Sequence, residues 1–268
     1  MSPSAELLDE LLTLATEAAS RAGALLLDGR PADLGVAATK SSPVDVVTEM
    51  DLASEKLVLE LIGGRRPEDG YLGEEGTDQP GTSGVRWVVD PLDGTVNYLY
   101  GLPGWAVSVG VEWQGEAVVG VVAAPARGEL FHAVRGGGAF LNGRRISCRP
   151  APPWGQALVG TGFNYVQQVR VRQAGILHAL MPEVRDIRRG GAAAVDLCDV
   201  AAGRLDAYYE RGLQPWDRSA GVLIAEEAGA RTGSRPGLPA DGDLTLAASP
   251  GTFEQLQTRL EALGAWHD

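Results

Sequence analysis

The stretch "RWVVDPLDGTVNYLYG", Arg86–Gly101, decides how the rest of the chain is read. An apolar and aromatic run leads straight into Asp90, Pro91, Leu92, Asp93, Gly94 and Thr95. Such a run predicts a buried strand from Val85 to Asp90. Pro91 cannot donate to a strand ladder, so the chain should turn there and project Asp90 and Asp93 to one side. Gly94 permits close backbone approach, and Thr95 suits the N-cap of a following helical turn. The N–H groups of Gly94 and Thr95 would then form an anion cradle. An ordinary Asp turn followed by a Thr cap explains the same residues equally well.

Two further acidic turns share this character. "YLGEEG", Tyr71–Gly76, places Glu74 or Glu75 at an element end, and "QPWDRSAGVLIAEEAGA", Gln214–Ala230, puts Asp217 at the start of an apolar-periodic helix. Helix capping alone would account for Asp217, and it is compatible with metal ligation. If these acids share a pocket, each pair of unit charges ~4 Å apart repels by about 4 kcal/mol at an effective dielectric of 20. Either they protonate or cations fill the site. An all-oxygen set favours magnesium or manganese, and three histidines give little sign of zinc. The acids do not alternate along one loop as a calcium EF-hand requires.

The 268-residue chain is 44% hydrophobic and 22% charged, the composition of a folded globular protein. Its net charge of −12 disfavours nucleic acid and anionic lipid, so an anionic substrate needs a locally inverted field. Two cysteines, Cys148 and Cys198, make neither a disulfide framework nor a zinc pattern. No apolar run is long enough to cross a bilayer, and the acidic opening residues lack a signal-like basic region. A cytoplasmic protein is expected.

Helical spacing predicts a first helix over Ala5–Asp28. A polar turn at Lys40–Pro43 follows, then a helix capped at Thr48 and stopped by Gly63-Gly64. Strands are predicted at Val85–Asp90, Trp105–Trp113, Ala117–Ala124, Leu130–Val134 and Ala139–Ile146, the last folded on an Asn142-Gly143 hairpin turn. Past the proline-rich stretch at Pro150–Pro153, strands near Ala157–Thr161, Val184–Arg188, Leu205–Glu210 and Leu244–Ala248 alternate with helices near Val166–Leu180, Ala192–Ala202, Asp217–Ala228 and Phe253–Leu263. The boundary divides residues 1–150, with most of the acids, from residues 151–268.

"YLGEEG", "WVVDPLDGTVNYLYGLPGWAVSVG" and "PWDRSAGVLIAEEAGA", in that order, resemble the inositol monophosphatase family of the lithium-sensitive magnesium phosphatases. "KSSPVDVVTEMD" and "RRGGAAAVDLCDVAAGRLDAYYE" fit as well, so the likeness runs from about Ala5 to Ala262. The resemblance implies an α/β (α+β) fold, a layered αβαβα sandwich with an antiparallel sheet in the first half and a mixed sheet in the second. It implies that Glu74, Asp90 and the carbonyl of Leu92 hold one Mg2+ and that Asp90, Asp93 and Asp217 hold a second. A third, weaker ion would sit near Glu74, and Mn2+ could substitute. Thr95 with Asp51 would position and deprotonate the attacking water. Asp93, Gly94 and Thr95 would meet the phosphate; Gly191, Ala192 and Ala193 would form a backbone wall, and Glu210 would meet the hydroxyls of a polyol. Lys40 would stand near the metal site, and the protein would be a homodimer. The chain departs from the common G-T-A pattern by carrying Ala192, which removes a hydroxyl contact.

Asp51, fourth in a T-x-x-D pattern, is also explained by a capping box. No G-x-S-x-G or Gly-Lys pattern points to a serine nucleophile or P-loop. The expected reaction is hydrolysis of inositol monophosphate, with histidinol phosphate, fructose bisphosphate or phosphoadenosine phosphate as alternatives. Arg170, Arg172, Arg185, Arg188 and Arg189 read either as a second-phosphate clamp or as a solvated or subunit-interface arginine cluster. Trp87, Trp105 and Trp216 read as core or pocket-wall aromatics. Rival readings are a regulatory protein that contacts a partner such as RNA polymerase, and a passive metal buffer.

Overall fold

The computed structural model describes residues 3–40 and 46–266; most of the polar turn after Lys40 lies outside the described residues. Helix α1 (Ala5–Asp28) is capped by Ser4 and buries Leu11, Leu14, Ala18, Ala22 and Leu26 along one face. A short pair, β1 (Ala38–Thr39) and β2 (Val46–Val47), leads to α2 (Glu49–Arg65). The helix runs through Gly63 and Gly64, where it was expected to stop. Its ladder continues to the Arg66 N–H, which donates to the Ile62 carbonyl at 2.7 Å.

Eight strands make the first sheet: β3 (Gly70–Gly73), β4 (Asp78–Gln79), β5 (Val85–Asp93), β6 (Ala106–Trp113), β7 (Glu116–Ala124), β8 (Glu129–Val134), β9 (Gly138–Leu141) and β10 (Arg144–Ile146). Their order is β10-β9-β8-β7-β6-β5-β3-β4. It is antiparallel as expected except at β3 and β5, which run parallel: β4, on the outer side of β3, and the connection to Val85 lie between them in sequence and carry the chain back across β3. The hairpin between β9 and β10 turns on Asn142 and Gly143, both at positive φ, which matches the twist of the strands it joins.

β5 does not end at Pro91 but continues to Asp93. Its pairing with β6 passes from Asp90 opposite Ser108 to Asp93 opposite Ala106, which leaves one extra residue on β5. In a regular strand residues three apart face opposite sides. The bulge brings Asp90 and Asp93 to the same side, and the missing N–H of Pro91 falls where the ladder is already interrupted. α3 (Thr95–Leu99) follows directly, with Gly94 rather than Thr95 as its N-cap.

The second sheet is mixed and comprises β11 (Leu158–Thr161), β12 (Asp186–Arg188), β13 (Ala207–Glu210), β14 (Arg231–Gly233) and β15 (Thr245–Ala248), ordered β12-β11-β13-β15-β14. The remaining helices are α4 (Gln167–Leu180), α5 (Ala193–Ala201), α6 (Pro215–Glu227) and α7 (Pro250–Ala262). Helices α1 and α2 cover one face of the large sheet around Trp87, Val89 and Val109. Helices α5 and α6 are sandwiched between the two sheets, and α7 with the end of α4 covers the far face of the small one. The layers are therefore αβαβα. No helix among the described residues is long and apolar enough to cross a membrane.

Candidate active site

One pocket receives Glu74, Asp90, Leu92, Asp93, Gly94 and Thr95 from the first half of the chain and Gly191, Ala193, Glu210 and Asp217 from the second. Close layer contacts cause this convergence. A Cβ on Gly110 would fall 2.4 Å from Ser219 Oγ, and one on Gly120 would fall 2.7 Å from the Ala220 carbonyl oxygen, so α6 lies directly on β6 and β7. The Ser108 hydroxyl donates to the Trp216 carbonyl at 3.3 Å and fixes the first turn of α6, which carries Asp217. At Gly94, φ is +87°, and a Cβ would lie 2.7 Å from the Gly104 oxygen and 3.1 Å from the Ala192 methyl. Ala192 is thus buried against Gly94 instead of facing the pocket.

Each acid is held by donors of the protein. The Leu92 N–H donates to Asp90 Oδ1 at 3.0 Å. The Ala193 and Ala194 N–H groups, at the N-terminus of α5, donate to the two oxygens of Asp93 at 3.2 and 2.7 Å. The Gln214 N–H donates to Asp217 Oδ2 at 2.6 Å, a capping box that leaves the rest of the carboxylate toward the pocket. Lys40 Nζ lies 2.8 Å from Glu74 Oε1 and 2.7 Å from Glu75 Oε1. Burial disfavours the charged ammonium, but the two carboxylates outweigh it and hold the Lys40 pKa above its ordinary value.

Asp51 is fully buried and serves two roles at once. Its Oδ2 accepts from the Thr48 N–H at 2.8 Å and hydroxyl at 2.5 Å, and its Oδ1 lies 3.0 Å from Thr95 Oγ1. Thr95 Oγ1 is also 3.1 Å from the Leu92 carbonyl, so its single proton serves one acceptor at a time. Burial raises the Asp51 pKa against the donors on Thr48 and Thr95. Asp51 therefore both completes a cap and bonds a pocket residue, and Asp217 both completes a cap and lines the pocket.

The electrostatics of the cluster follow from burial and like charge. Burial, then Glu74, Asp93 and Asp217, push the Asp90 carboxyl well above the carboxylate range. Asp217 is raised in the same way by burial, Glu74 and Asp93. Asp93 is pushed up to about 7 by burial, with the α5 N–H groups opposing. Among the described residues, no group of three His, Cys, Asp or Glu side chains is arranged so that it could hold a metal ion. The donor set nevertheless fits a hard divalent cation. All the groups are oxygens, each carboxylate has about four lone-pair sites and gives only part of them to its protein donors, and the surplus negative charge calls for neutralisation.

A model of the inositol monophosphatase family matches residues 7–262. The inositol-1-monophosphatase SuhB of Mycobacterium tuberculosis is 46% identical over 237 residues, 85% of this chain and 82% of that protein. The chain belongs to the inositol monophosphatase family. The Nus factor SuhB of Salmonella typhimurium is 40% identical over 221 residues, covering 82% of this chain and 83% of its own length. The crystal structure of the extragenic suppressor protein suhB of Bartonella henselae superposes with a TM-score of 0.84 at 34% identity, over 97% of this chain and 99% of that one. As a member of the inositol monophosphatase family the chain is a phosphatase by kinship, and members of the family are generally magnesium-dependent.

Several neighbours of these family motifs escaped the sequence reading. Ser54 Oγ donates to the Pro91 carbonyl at 2.7 Å, and the buried Glu55 accepts from the Glu75 N–H at 2.8 Å and the Thr77 hydroxyl at 2.5 Å. One face of α2 therefore supports both acid-bearing turns. The signal was present: residues three and four after Asp51 share its helix face. Of the five arginines considered as a clamp, only Arg189 lines the pocket; Arg188 pairs with Asp186, Arg185 bonds Gln156, and Arg172 lines a separate cavity. Trp87 and Trp105 are core residues.

Proposed function

We propose that this protein is a magnesium-dependent phosphomonoesterase that hydrolyses inositol monophosphate to inositol and phosphate by direct attack of water. The observation that carries the reading is the convergence of Glu74, Asp90, Asp93 and Asp217 on one pocket beside the Thr95–Asp51 pair. Glu74, Asp90, Asp93, Asp217 and the Leu92 carbonyl would hold the ions. Magnesium supplies charge neutralisation at the phosphoryl group and a more acidic water when bound.

The chain's own residues then have definite tasks. Thr95 Oγ1 accepts from the attacking water while its own proton is directed to Asp51 Oδ1. The Thr48 donors occupy Asp51 Oδ2, so Oδ1 is the oxygen left for Thr95. The raised Asp51 pKa makes it a better proton acceptor than an ordinary carboxylate. Glu210 is oriented by the Tyr208 hydroxyl and faces the pocket, where it can accept from hydroxyls of the alcohol. Gly191 and Ala193 supply a wall beside it.

The test is phosphate release from inositol 1-phosphate with Mg2+, in parallel with histidinol phosphate, fructose 1,6-bisphosphate and phosphoadenosine phosphate. The highest kcat/KM on the inositol ester, abolished by EDTA and by Asp93→Asn, is the expected result. Undiminished hydrolysis by Asp93→Asn would refute the assignment. The kinship with a protein named Nus factor favours a second reading, regulatory binding on the same fold. It would gain if an inactive Asp93→Asn chain still complemented a deletion of the gene.

A further inference from the structure

We propose that the cavity between α4 and the turn that ends α7 binds a small carboxylate with an aliphatic tail, and that this ligand, by fixing the loop that carries Phe163 and Tyr165, lowers the KM of the phosphate ester. The binding site stands on its own observations, and the effect on turnover rests on the phosphomonoesterase reading. The cavity measures about 270 Å³, just below the range of about 300–1,000 Å³ usual for drug-sized ligands. Its near wall is one face of α4, because Val169, Arg172, Gln173 and Ile176 are spaced i, i+3, i+4 and i+7. Ile176 packs against the cluster around Leu180, Leu256 and Leu260. The far wall is Arg211 with Leu263 and Gly264. Gly175 and Gly264 bring no side chain to fill the gap, and a Cβ on Gly175 would meet nothing within 4 Å.

The polar side chains of these walls are donors. Gln173 is only 8% exposed, and its Oε1 accepts from the Asn164 N–H at 2.9 Å. Its Nε2 has no partner among the described residues. A buried amide donor left in that way lacks a hydrogen bond that an acceptor in the cavity would restore. Arg172 is also without a hydrogen-bond or ion-pair partner among the described residues. Arg211 Nη1 donates to the Ala265 carbonyl at 3.3 Å, which sets its guanidinium at the α7 side of the space. Among the described residues no aspartate or glutamate lines the cavity, although the chain carries a net charge of −12. A carboxylate accepts from the Arg172 fork and the Gln173 amide together, and Val169, Ile176 and Leu263 cover an alkyl tail. Inorganic phosphate would leave those three side chains uncovered, and a neutral alcohol would leave Arg172 without a countercharge.

The Gln173–Asn164 bond joins this cavity to the phosphate site. Asn164 stands between Phe163 and Tyr165, which both line the acid pocket, and its Oδ1 accepts from the Val166 N–H at 2.8 Å. An anion bound to Gln173 Nε2 fixes the amide whose other end holds the loop. Less loop freedom is then lost when substrate binds, so the two ligands favour each other.

The probe is hexanoate, titrated calorimetrically into the Mg2+-supplied full chain, with hexan-1-ol and acetate as controls. Hexanoate should bind at least about tenfold more tightly than either control, and Arg172→Gln should weaken it by about tenfold or more. Gln173→Glu keeps an acceptor for the Asn164 N–H and puts a second carboxylate oxygen where the free donor was, so it should abolish hexanoate binding. Saturating hexanoate should lower the KM for inositol 1-phosphate about fivefold in the wild type and leave it unchanged in Arg172→Gln. No binding of hexanoate, or equal binding of hexan-1-ol, overturns the site. Binding that both variants retain also overturns it, since the anion then sits elsewhere, as on the bound Mg2+. Tight, variant-sensitive binding with an unchanged KM overturns the link to the loop. The same binding in a chain that hydrolyses no phosphate ester overturns the phosphomonoesterase reading and the effect on KM, and leaves the carboxylate site standing.

Discussion

Replacing Asp90 by asparagine should make the metal-free protein more stable and the enzyme inactive. Asp90 is 1% exposed, and burial together with Glu74, Asp93 and Asp217 opposes its ionisation. Asparagine has the same shape, and its Oδ1 can still accept from the Leu92 N–H, now at 3.0 Å. The main change is therefore one charge. Carboxylates ~4–6 Å apart repel by about 3–4 kcal/mol per pair at an effective dielectric of 20. Partial protonation and side-chain adjustment relieve much of this, which leaves a gain of ~2 kcal/mol for the variant at pH 8.5 in EDTA. For a chain of this length that is about 4–6 °C in Tm.

With magnesium the order should reverse. Saturation at a hundred times Kd stabilises the wild type by about 2.7 kcal/mol, and a variant lacking a shared ligand loses most of that. Its kcat should fall at least about a thousandfold, as expected when a preorganised charge at the reacting phosphate is removed. Thermal melts of both proteins with EDTA and with Mg2+, alongside phosphate release, give the four values needed. A variant less stable than wild type in EDTA, or one stabilised equally by Mg2+, would refute the idea that Asp90 sits in a repelling cation site.

Asp51→Asn should retain the Thr48 cap and a near-native Tm, yet lower kcat by about a hundredfold or more, because Thr95 loses the acceptor at 3.0 Å. An unchanged kcat would confine Asp51 to capping. Ser54→Ala and Glu55→Gln should raise the Mg2+ concentration for half-maximal activity by about tenfold, with kcat largely recovered at saturating Mg2+. Calorimetric titration with Mg2+ checks the same shift without turnover. The Asp93 pKa, pushed up from 3.8 to about 7, fixes two pH trends. Below about 7 its carboxyl carries a proton that an ion must displace, so the Mg2+ requirement should grow as pH falls through that value. The folded chain also binds this proton more tightly than the unfolded chain. Stability in EDTA should therefore decline as pH rises from about 4 to about 7, the reverse of a salt-bridged carboxylate. Denaturant melts across that range check it.

Much of the fold was legible because local signals and burial agree. The β6 to β10 strands alternate with glycine turns, α1 carries a long apolar stripe, and Asn142-Gly143 adopts the positive φ its hairpin needs. What the pattern could not supply depends on pairing between distant segments. Pro91 was read as a stop because its own geometry forbids a regular ladder, and only the register against Ser108 and Ala106 shows that the irregularity is a bulge. The parallel pairing of β3 with β5 was hidden for the same reason, since four residues of Gly70–Gly73 carry no sign of their partner. In the site, acids at turn ends were visible one by one. The support from Ser54 and Glu55 shows only as a helix face shared with Asp51, and their partners, 37 and 20 residues away, do not show at all.

The capping bonds explain how a marginally stable chain tolerates this concentration of like charge. Asp93 sits at the N-terminus of α5, Asp217 completes the capping box of α6, and Asp51 completes that of α2. A carboxylate in the first turn of a helix meets unpaired N–H groups and the positive end of the helix dipole. Asp217 and Asp51 are thus stabilised by their own helices and Asp93 by the helix packed against it, and the repulsion falls on the oxygens that face the pocket. The same geometry links fold and function. The bonds that terminate the helices set where the free lone pairs point, so a substitution that spoils a cap should displace a ligand as well. Capping and catalysis are rival explanations for such residues only while the sequence is read one motif at a time. In three dimensions the capping bond also sets where the carboxylate stands in the pocket.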